Sequence, residues 1–540
     1  MRDVNTDRAE EATLKPSITV GRDMREKISN ESQITILVQY FIRDEPPVVV
    51  SIVEDVDGRR FYNVEEPGLT EIGGRVLRRL LDKILGDIGL LRRFSGIEDF
   101  GEAMREAYVL ARRALAPLRG RLRRLGRDWE DEATRIAYYI ARDLVGYSRL
   151  DPLVRDPRIE DISCNGLLTP VFVYHTEFEW LTSNIVFNDP GELERIVLKL
   201  GLRSGQEPSL ARPVVEGILR PEGYRVHIVM DVVSRRGHSF TIRKFRAEPF
   251  TVVELVNRGT VDPGVAAILW AAIQYKQGVV IYGPTGSGKT TLLNAFAMLL
   301  PPEYKIVTIE DTPEIYLPFH DNWAAMHTRL SDMPGVQNVT LQAQVESALR
   351  MRPDVIIVGE IRSREAFAFF QALATGHGGL TTVHAESADV LIRRLASPPM
   401  NVPKSLIAAN KLFVHILRLE RGGTVARKVI RIDETRGYDP ASDEIELGRL
   451  VQWRSKEDDW VLLSTESSFV KAIAELLVVS PREIWHDLER RATIIKWLAE
   501  RNADMLEVHE TVRRYMRDPE KVYEEALKET SPYVFRKGGA

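Results

Sequence analysis

Gly283, Pro284, Thr285, Gly286, Ser287, Gly288, Lys289 and Thr290 follow the spacing G-x-x-x-x-G-K-[ST], the pattern of a loop that cradles phosphate. The apolar run Val279 to Tyr282 precedes it, and Thr291 to Leu300 follows with helical periodicity, so the stretch reads as strand, tight loop and helix. Glycines at 283, 286 and 288 let the backbone curl so that successive N–H groups point inward at phosphate oxygens. A helix beginning near Lys289 aims its positive dipole end at the same point. Lys289 supplies a mobile charge for the β and γ phosphates, and the Thr290 hydroxyl is the expected Mg²⁺ ligand. Gly283 through Thr291 are therefore the predicted nucleotide contacts.

Binding a triphosphate is not hydrolysing it, and hydrolysis needs a group that activates water. Two carboxylates qualify, each at the end of an apolar strand-like run. Glu310 closes the run that starts at Lys305, and Glu360 follows Val355 to Val358 after Gly359. P-loop proteins usually carry a metal-holding Asp where Gly359 stands, so the metal is expected to lean on Thr290, phosphate and water. Glu310 is the favoured general base and Glu360 the favoured holder of a metal-bound water. The residues alone leave open the reverse assignment and a salt bridge to a nearby arginine. His377 and His384 flank a further strand, where they could sense the γ-phosphate or serve as hydrogen-bonded core residues.

These groups need a scaffold that brings several strand ends together. Strands alternating with helices predict an α/β fold with a mostly parallel sheet, covered on both faces, whose ligands sit at the carboxyl ends of the strands. The expected organisation is a mobile tail at 1–30, short strands then basic helices at 31–145, and a small α+β domain at 146–250. A linker at 251–261, the nucleotide core at 262–400, and strands with a helical subdomain at 401–535 complete it, and the residues from Lys537 onward are expected to fray.

Bulk properties narrow the classes. A net charge of −4 gives no global reason to expect nucleic-acid binding. The single cysteine, Cys164, excludes an internal disulfide framework and a cysteine-based zinc cluster, which suits a reducing cytoplasm. No apolar run approaches the roughly 20 residues that cross a bilayer, and the charged N-terminus lacks a signal-peptide core. Membrane work is therefore expected to be peripheral. Arg78, Arg79, Arg92, Arg93, Arg112, Arg113, Arg119, Arg121, Arg123 and Arg124 give the segment from 69 to 145 a basic cast, read as solvated helix faces ahead of an anionic-membrane or acidic-partner site. A RecA-like nucleic-acid motor using those helices, and a nucleotide-gated scaffold without turnover, are the rival readings.

Four ordered motifs carry a resemblance. Gly283 to Thr290, Thr308 to Glu314, Arg352 to Arg362 and Thr375 to Ala385 are similar to the Walker A, Asp box, Walker B and His box of the secretion ATPase superfamily, which includes type II secretion, type IV pilus, type IV secretion and archaellum motors. Ile159 to Gly166 and Phe240 to Phe245 resemble its archaeal branch, as does the lack of a tetracysteine insert, and the likeness covers about residues 145 to 525. It implies a RecA-like P-loop motor domain preceded by a small α+β, PAS-like domain and a helical N-terminal region. It also implies a homo-hexameric Mg²⁺-dependent ATPase at the cytoplasmic face of a membrane, working on a polytopic inner-membrane platform protein. Arginines of the small domain act against phosphate in that family. Here the role maps first to Arg243, then Arg225, with Arg329, Arg350, Arg352 and Arg362 as weaker motor-domain candidates.

Overall fold

The computed structural model describes residues 34–85, 99–118, 120, 129–245, 249–329, 337–421 and 424–538. The tail expected at 1–30 and six of the ten arginines (92, 93, 119, 121, 123 and 124) lie outside them. The chain divides into two compact units, Met1–Arg246 and Ala247–Ala540.

The first unit is built on one nine-stranded sheet. Its strands are β1 (Thr35–Arg43), β2 (Val48–Glu54), β3 (Arg60–Glu65), β4 (Ile159–Cys164), β5 (Pro170–His175), β6 (Glu179–Val186), β7 (Val214–Leu219), β8 (Tyr224–Val229) and β9 (Ser239–Arg243). They lie in the order β1-β2-β3-β6-β5-β4-β9-β8-β7. Alternation explains the register. Val226 and Ile228 face Ile242 and Phe240 across β8 and β9 and are buried, while Arg225 and Arg243 pair on the opposite, exposed face.

The expected split between 31–145 and 146–250 is not observed, because β3 pairs in parallel with β6 and joins both regions in one sheet. The three antiparallel strands β1-β2-β3 thereby extend the neighbouring sheet, and Val50, Ile52 and Tyr62 share one core with Ile162 and Val173. Asn184 seals the join by accepting from Val64 N at 3.0 Å and donating to Val64 O at 2.9 Å. Asp156, fully buried, accepts from the hydroxyls of Tyr40 at 2.6 Å and Tyr62 at 2.7 Å. The helical periodicity after Leu69 appears as helices Glu71–Leu85, Phe100–Leu115 and Trp129–Leu144. The last two meet through Ala103, Ala107, Ala111, Ala133, Ala137 and Ala141, whose small side chains let the backbones approach.

The second unit holds the other nine-stranded sheet. Its strands are β10 (Val279–Gly283), β11 (Ile306–Glu310), β12 (Trp323–His327), β13 (Val355–Val358), β14 (Gly378–His384), β15 (Leu412–Arg421), β16 (Thr424–Asp439), β17 (Glu444–Arg454) and β18 (Asp459–Leu462), in the order β12-β11-β13-β14-β10-β15-β16-β17-β18. The pairings from β12 to β15 are parallel and those from β15 to β18 antiparallel. β10 and β13 are buried at every position, as their uninterrupted apolar runs require when helices cover both faces. This is the RecA-like α/β architecture.

Three boundaries move. The parallel sheet does not stop near 400, since β15 lies directly beside β10. The 251–261 stretch is not an open linker either. It contains helix Val252–Asn257, closed by a capping box between Thr251 and Glu254, with Val252 and Val253 buried and Asn257 Nδ2 donating to Ala499 O at 3.1 Å. Lys537 and Gly538 do not fray: Lys537 bridges Leu462, and Gly538 N donates to Leu462 O at 2.9 Å.

Candidate nucleotide site

β10 delivers the chain to Gly283, and a helix resumes at Lys289. Gly286 at φ +75° and Gly288 at φ +91° occupy the left-handed region, which costs glycine nothing. Gly283 is required for another reason: a Cβ there would collide with the Ile416 carbonyl oxygen. Pro284, Thr285 and Gly286 are exposed, whereas Ser287 is buried and its hydroxyl has no hydrogen-bond partner among the described residues. Lys289 Nζ donates to Gly283 O at 3.1 Å and Pro284 O at 2.8 Å. Burial pushes this amine down to about 8, although the Glu360 carboxylate pulls the other way. Thr290 and Thr291 are half-buried on the first turn of the helix.

Glu310, Glu360 and His384 come to the same carboxyl edge of the sheet. Glu310 is the last residue of β11 and is buried, and its Oε1 accepts from Glu314 N at 2.9 Å and Ile315 N at 3.1 Å. Burial drives its carboxyl up to about 8 against those two hydrogen bonds, with the Glu314 charge adding to the rise. Glu360 Oε2 accepts from Arg362 Nη2 at 2.6 Å, so the arginine pairing left open by the sequence exists. Its Oε1 lies 3.1 Å from His384 Nε2. That approach does not meet hydrogen-bond geometry, and Oε1 stays buried with no hydrogen bond among the described residues. His384 Nδ1 sits 3.3 Å from Lys289 Nζ and 3.5 Å from Thr285 Oγ1. Burial first, then the Lys289 charge, lowers the imidazole below its ordinary value, so it is neutral at pH 7. An ammonium can only donate, so Nδ1 accepts and the ring proton is on Nε2.

His377 lies at the opposite edge of the sheet from the site expected of it. It precedes β14, whereas His384 ends it, and seven residues of extended chain separate them by about 23 Å. His377 lines a cleft of about 500 Å³ with Lys276, Arg352 and Asp354 at the amino ends of the strands, away from the phosphate loop, and so does not sit as the expected nucleotide contact. Arg352 goes with it, and Arg350 immediately precedes the same turn. Arg362 is engaged by Glu360, and Arg329 forms a backbone bridge to Val339. Arg243 and Arg225 belong to the first unit, where Arg243 Nε donates to Asp161 Oδ1 at 2.9 Å and Arg225 Nη2 to Glu216 Oε2 at 3.0 Å.

Two residues beyond the sequence motifs reach the loop or the strand that enters it. Arg427 Nε donates to Gly286 O at 3.1 Å, and Arg431 Nη2 donates to the Tyr282 hydroxyl at 3.0 Å. Both lie on β16, and only the β10-β15-β16 pairing brings them there. Among the described residues no group of three His, Cys, Asp or Glu side chains forms a metal cluster. Oxygen donors from Thr290 and the unbonded Oε1 of Glu360 nevertheless suit Mg²⁺, which keeps several waters and takes most of its other ligands from phosphate.

A family model described as "Type II/IV secretion system protein" matches residues 221–441. The chain is 35% identical over 464 residues to an uncharacterized protein of Methanocaldococcus jannaschii, covering 83% of this chain and 84% of that one. It is 34% identical over 220 residues to the type IV secretion system protein VirB11 of Brucella suis, covering 35% of this chain and 60% of that one. The crystal structure of the VirB11 ATPase from the Brucella suis type IV secretion system, in complex with sulphate, aligns at 28% identity with a TM-score of 0.27, over 54% of this chain and 93% of that one.

Proposed function

This chain belongs to the type II/IV secretion ATPase superfamily, and from that premise we propose that it is a homo-hexameric Mg-ATPase that acts on a polytopic membrane partner to assemble a type IV pilus-like filament or drive type II-like secretion. The observation that carries the catalytic part is the contact chain Lys289–His384–Glu360, with steps of 3.3 and 3.1 Å, beside the phosphate loop. Lys289 and the loop amides hold the phosphates, and His384 keeps Lys289 and Glu360 apart. Thr290 and Glu360 would hold Mg²⁺, which would supply positive charge against the phosphate oxygens. Glu310, desolvated until its carboxyl titrates near pH 8, accepts the proton of the attacking water. Arg243, and after it Arg225, neutralise charge on the transferred phosphoryl group.

No helix among the described residues is long and apolar enough to cross a membrane. The proposed place of work is the cytoplasmic face of the membrane, with the partner supplying the spanning segments and anionic lipid a further contact.

The test is phosphate release by the full chain with ATP and Mg²⁺. Lys289→Ala and removal of Mg²⁺ are expected to abolish it, and Arg243→Ala to leave nucleotide binding intact while turnover falls about 100-fold or more. Absence of turnover in the wild-type chain, with nucleotide bound, would leave the scaffold reading in its place. Activity stimulated by polynucleotide and lost with rising salt would instead identify a nucleic-acid motor. Co-purification with a polytopic membrane protein tests the partner.

A further inference from the structure

β16 holds the phosphate loop at one point and the strand that enters it at another, four residues earlier. Arg431 holds the Tyr282 hydroxyl at 3.0 Å, one residue before the loop, and Arg427 holds the Gly286 carbonyl at 3.1 Å, at its tip. The Arg427 stem also lies against Gly288, where an added Cβ would sit 3.1 Å from Arg427 Cδ. β15 presses from beside β10, with the Ile416 carbonyl against Gly283. We propose that Arg427 is a positioning residue for nucleotide binding: by holding the Gly286 carbonyl outward it turns the loop amides inward, and so makes phosphate affinity depend on the β15–β16 hairpin.

The reason lies in the peptide plane. A trans peptide is rigid, with its C=O and N–H antiparallel, so a donor that fixes the Gly286 carbonyl also fixes the direction of the Ser287 N–H. Local sequence does not do this. Gly286 and Gly288 flank that peptide and its neighbour, and glycine populates left- and right-handed backbone about equally. Within the loop the Ser287 N–H has a single long contact, 3.4 Å to Pro284 O, and the tip from Pro284 to Gly286 is exposed. An outside anchor is therefore needed to select the phosphate-binding curl before nucleotide arrives. A charged donor makes a stronger hydrogen bond to a carbonyl than a neutral one. Arg427 sits on a strand paired with β15 on one side and, farther along, with β17 on the other, so the donor is carried by a sheet rather than by a mobile loop. Any displacement of that hairpin is transmitted to the peptide that faces the phosphates.

The kinetic arm of the test rests on the ATPase reading; the other arms do not. In the full chain, Arg427→Ala, Arg427→Gln and Arg427→Lys are compared for amide hydrogen exchange across Gly286 to Lys289 without nucleotide, for Mg-ADP affinity by calorimetry, and for KM and kcat with ATP. The expected result for Arg427→Ala and Arg427→Gln is exchange at Ser287 and Gly288 faster by about tenfold, ADP affinity and KM weaker by about tenfold, and kcat within about twofold. Arg427→Lys, which keeps a charged donor of similar reach, is expected to recover most of the affinity. Unchanged exchange and affinity in the Ala and Gln variants would overturn the proposal. A fall in kcat at constant KM would overturn it too, because Arg427 would then contact the transition state. If the wild-type chain binds ADP but releases no phosphate, the ATPase reading fails, while exchange and ADP affinity still decide the role of Arg427.

Discussion

The imidazole Nε2 of His384 stands 3.1 Å from Glu360 Oε1, so a neutral ring separates that carboxylate from the Lys289 ammonium, which lies 3.3 Å beyond on Nδ1. Without the ring, Lys289 is free to swing onto Glu360, and the resulting ion pair would compete with phosphate for the same ammonium. His384→Ala is therefore expected to raise the KM for ATP about tenfold. Adding Glu360→Gln to that variant should return most of the binding, because the competing anion is gone, while kcat stays low. Equilibrium binding of a non-hydrolysable ATP analogue to the wild type, both single variants and the double variant completes the cycle. Additive effects would show that His384 does not act by keeping the two charges apart.

Glu310 couples stability to pH. Its unfolded carboxyl titrates near the ordinary 4.5 and its folded one near 8. Below pH 4.5 both states are protonated and burial carries no ionisation penalty. As pH rises the unfolded chain releases this proton first, so the folded state loses stability progressively until the folded pKa near 8 is passed. Glu310→Gln keeps the acceptor oxygen for Glu314 and Ile315 without the titration. It is expected to melt within a degree or so of wild type at pH 5 and a few degrees higher at pH 8.5. The same variant should lower kcat at least about tenfold, which is ~1.4 kcal/mol of barrier, and remove a rise of kcat/KM through about pH 8. Thermal melts and phosphate release across pH separate the two effects.

Legibility in the sequence followed the range of the interaction. The phosphate loop needs backbone freedom at fixed offsets between a strand and a helix, and all of that is local, so Gly283 to Thr290 stood out. Glu310, Glu360 and His384 were legible as polar residues closing apolar runs. His377 misled because periodicity marks a strand without saying which flank lies at the carboxyl edge. Pairings between distant segments left no local trace: β3 against β6, or β15 beside β10, depends on partners about 120 to 130 residues away. Arg427 and Arg431 read as ordinary alternating charges on a late strand until the sheet brought them against the loop. The segment 251–261 looked like a linker because its buried valines occupy a helix too short to show a period.

Arg491 tests how the second unit is fastened. Its side chain is only 1% exposed, yet it is charged. Asp487 Oδ2 accepts from Nε at 2.7 Å, Gln274 Oε1 from Nη1 at 2.7 Å, and the Trp270 and Tyr515 rings lie 4.5 and 5.0 Å from the guanidinium carbon. It thus ties helix Pro481–Glu500 to helix Pro263–Gln274. Arg491→Ala removes the cation and leaves the Asp487 carboxylate with the Tyr515 hydroxyl but no counter-charge, so a loss of about 3–5 kcal/mol is expected in denaturant unfolding of the full chain. Arg491→Met, which refills the volume, should lose less. Equal losses for both would assign the effect to charge alone.

Gly359 stands where many P-loop ATPases place a metal-binding Asp, and the structure supplies a reason. A Cβ at 359 would lie 3.1 Å from Glu310 Cγ and 3.4 Å from its Oε1, so the space that an Asp would take belongs to the neighbouring glutamate. A methyl group there must push Glu310 by a few tenths of an ångström, and a carboxylate must also bring a like charge against an already desolvated acid. Displacement of a catalytic group by about 1 Å can cost on the order of 100-fold, so Gly359→Ala is expected to lower kcat about tenfold. Gly359→Asp should lower it further while nucleotide binding by the loop persists. Glu310→Gln in the Gly359→Asp background relieves the charge repulsion and should recover stability without recovering turnover, read by thermal melts alongside phosphate release. If Gly359→Asp instead tightens Mg²⁺ dependence and raises kcat, the glycine is not there to seat Glu310, and Glu360 becomes the better candidate for the base.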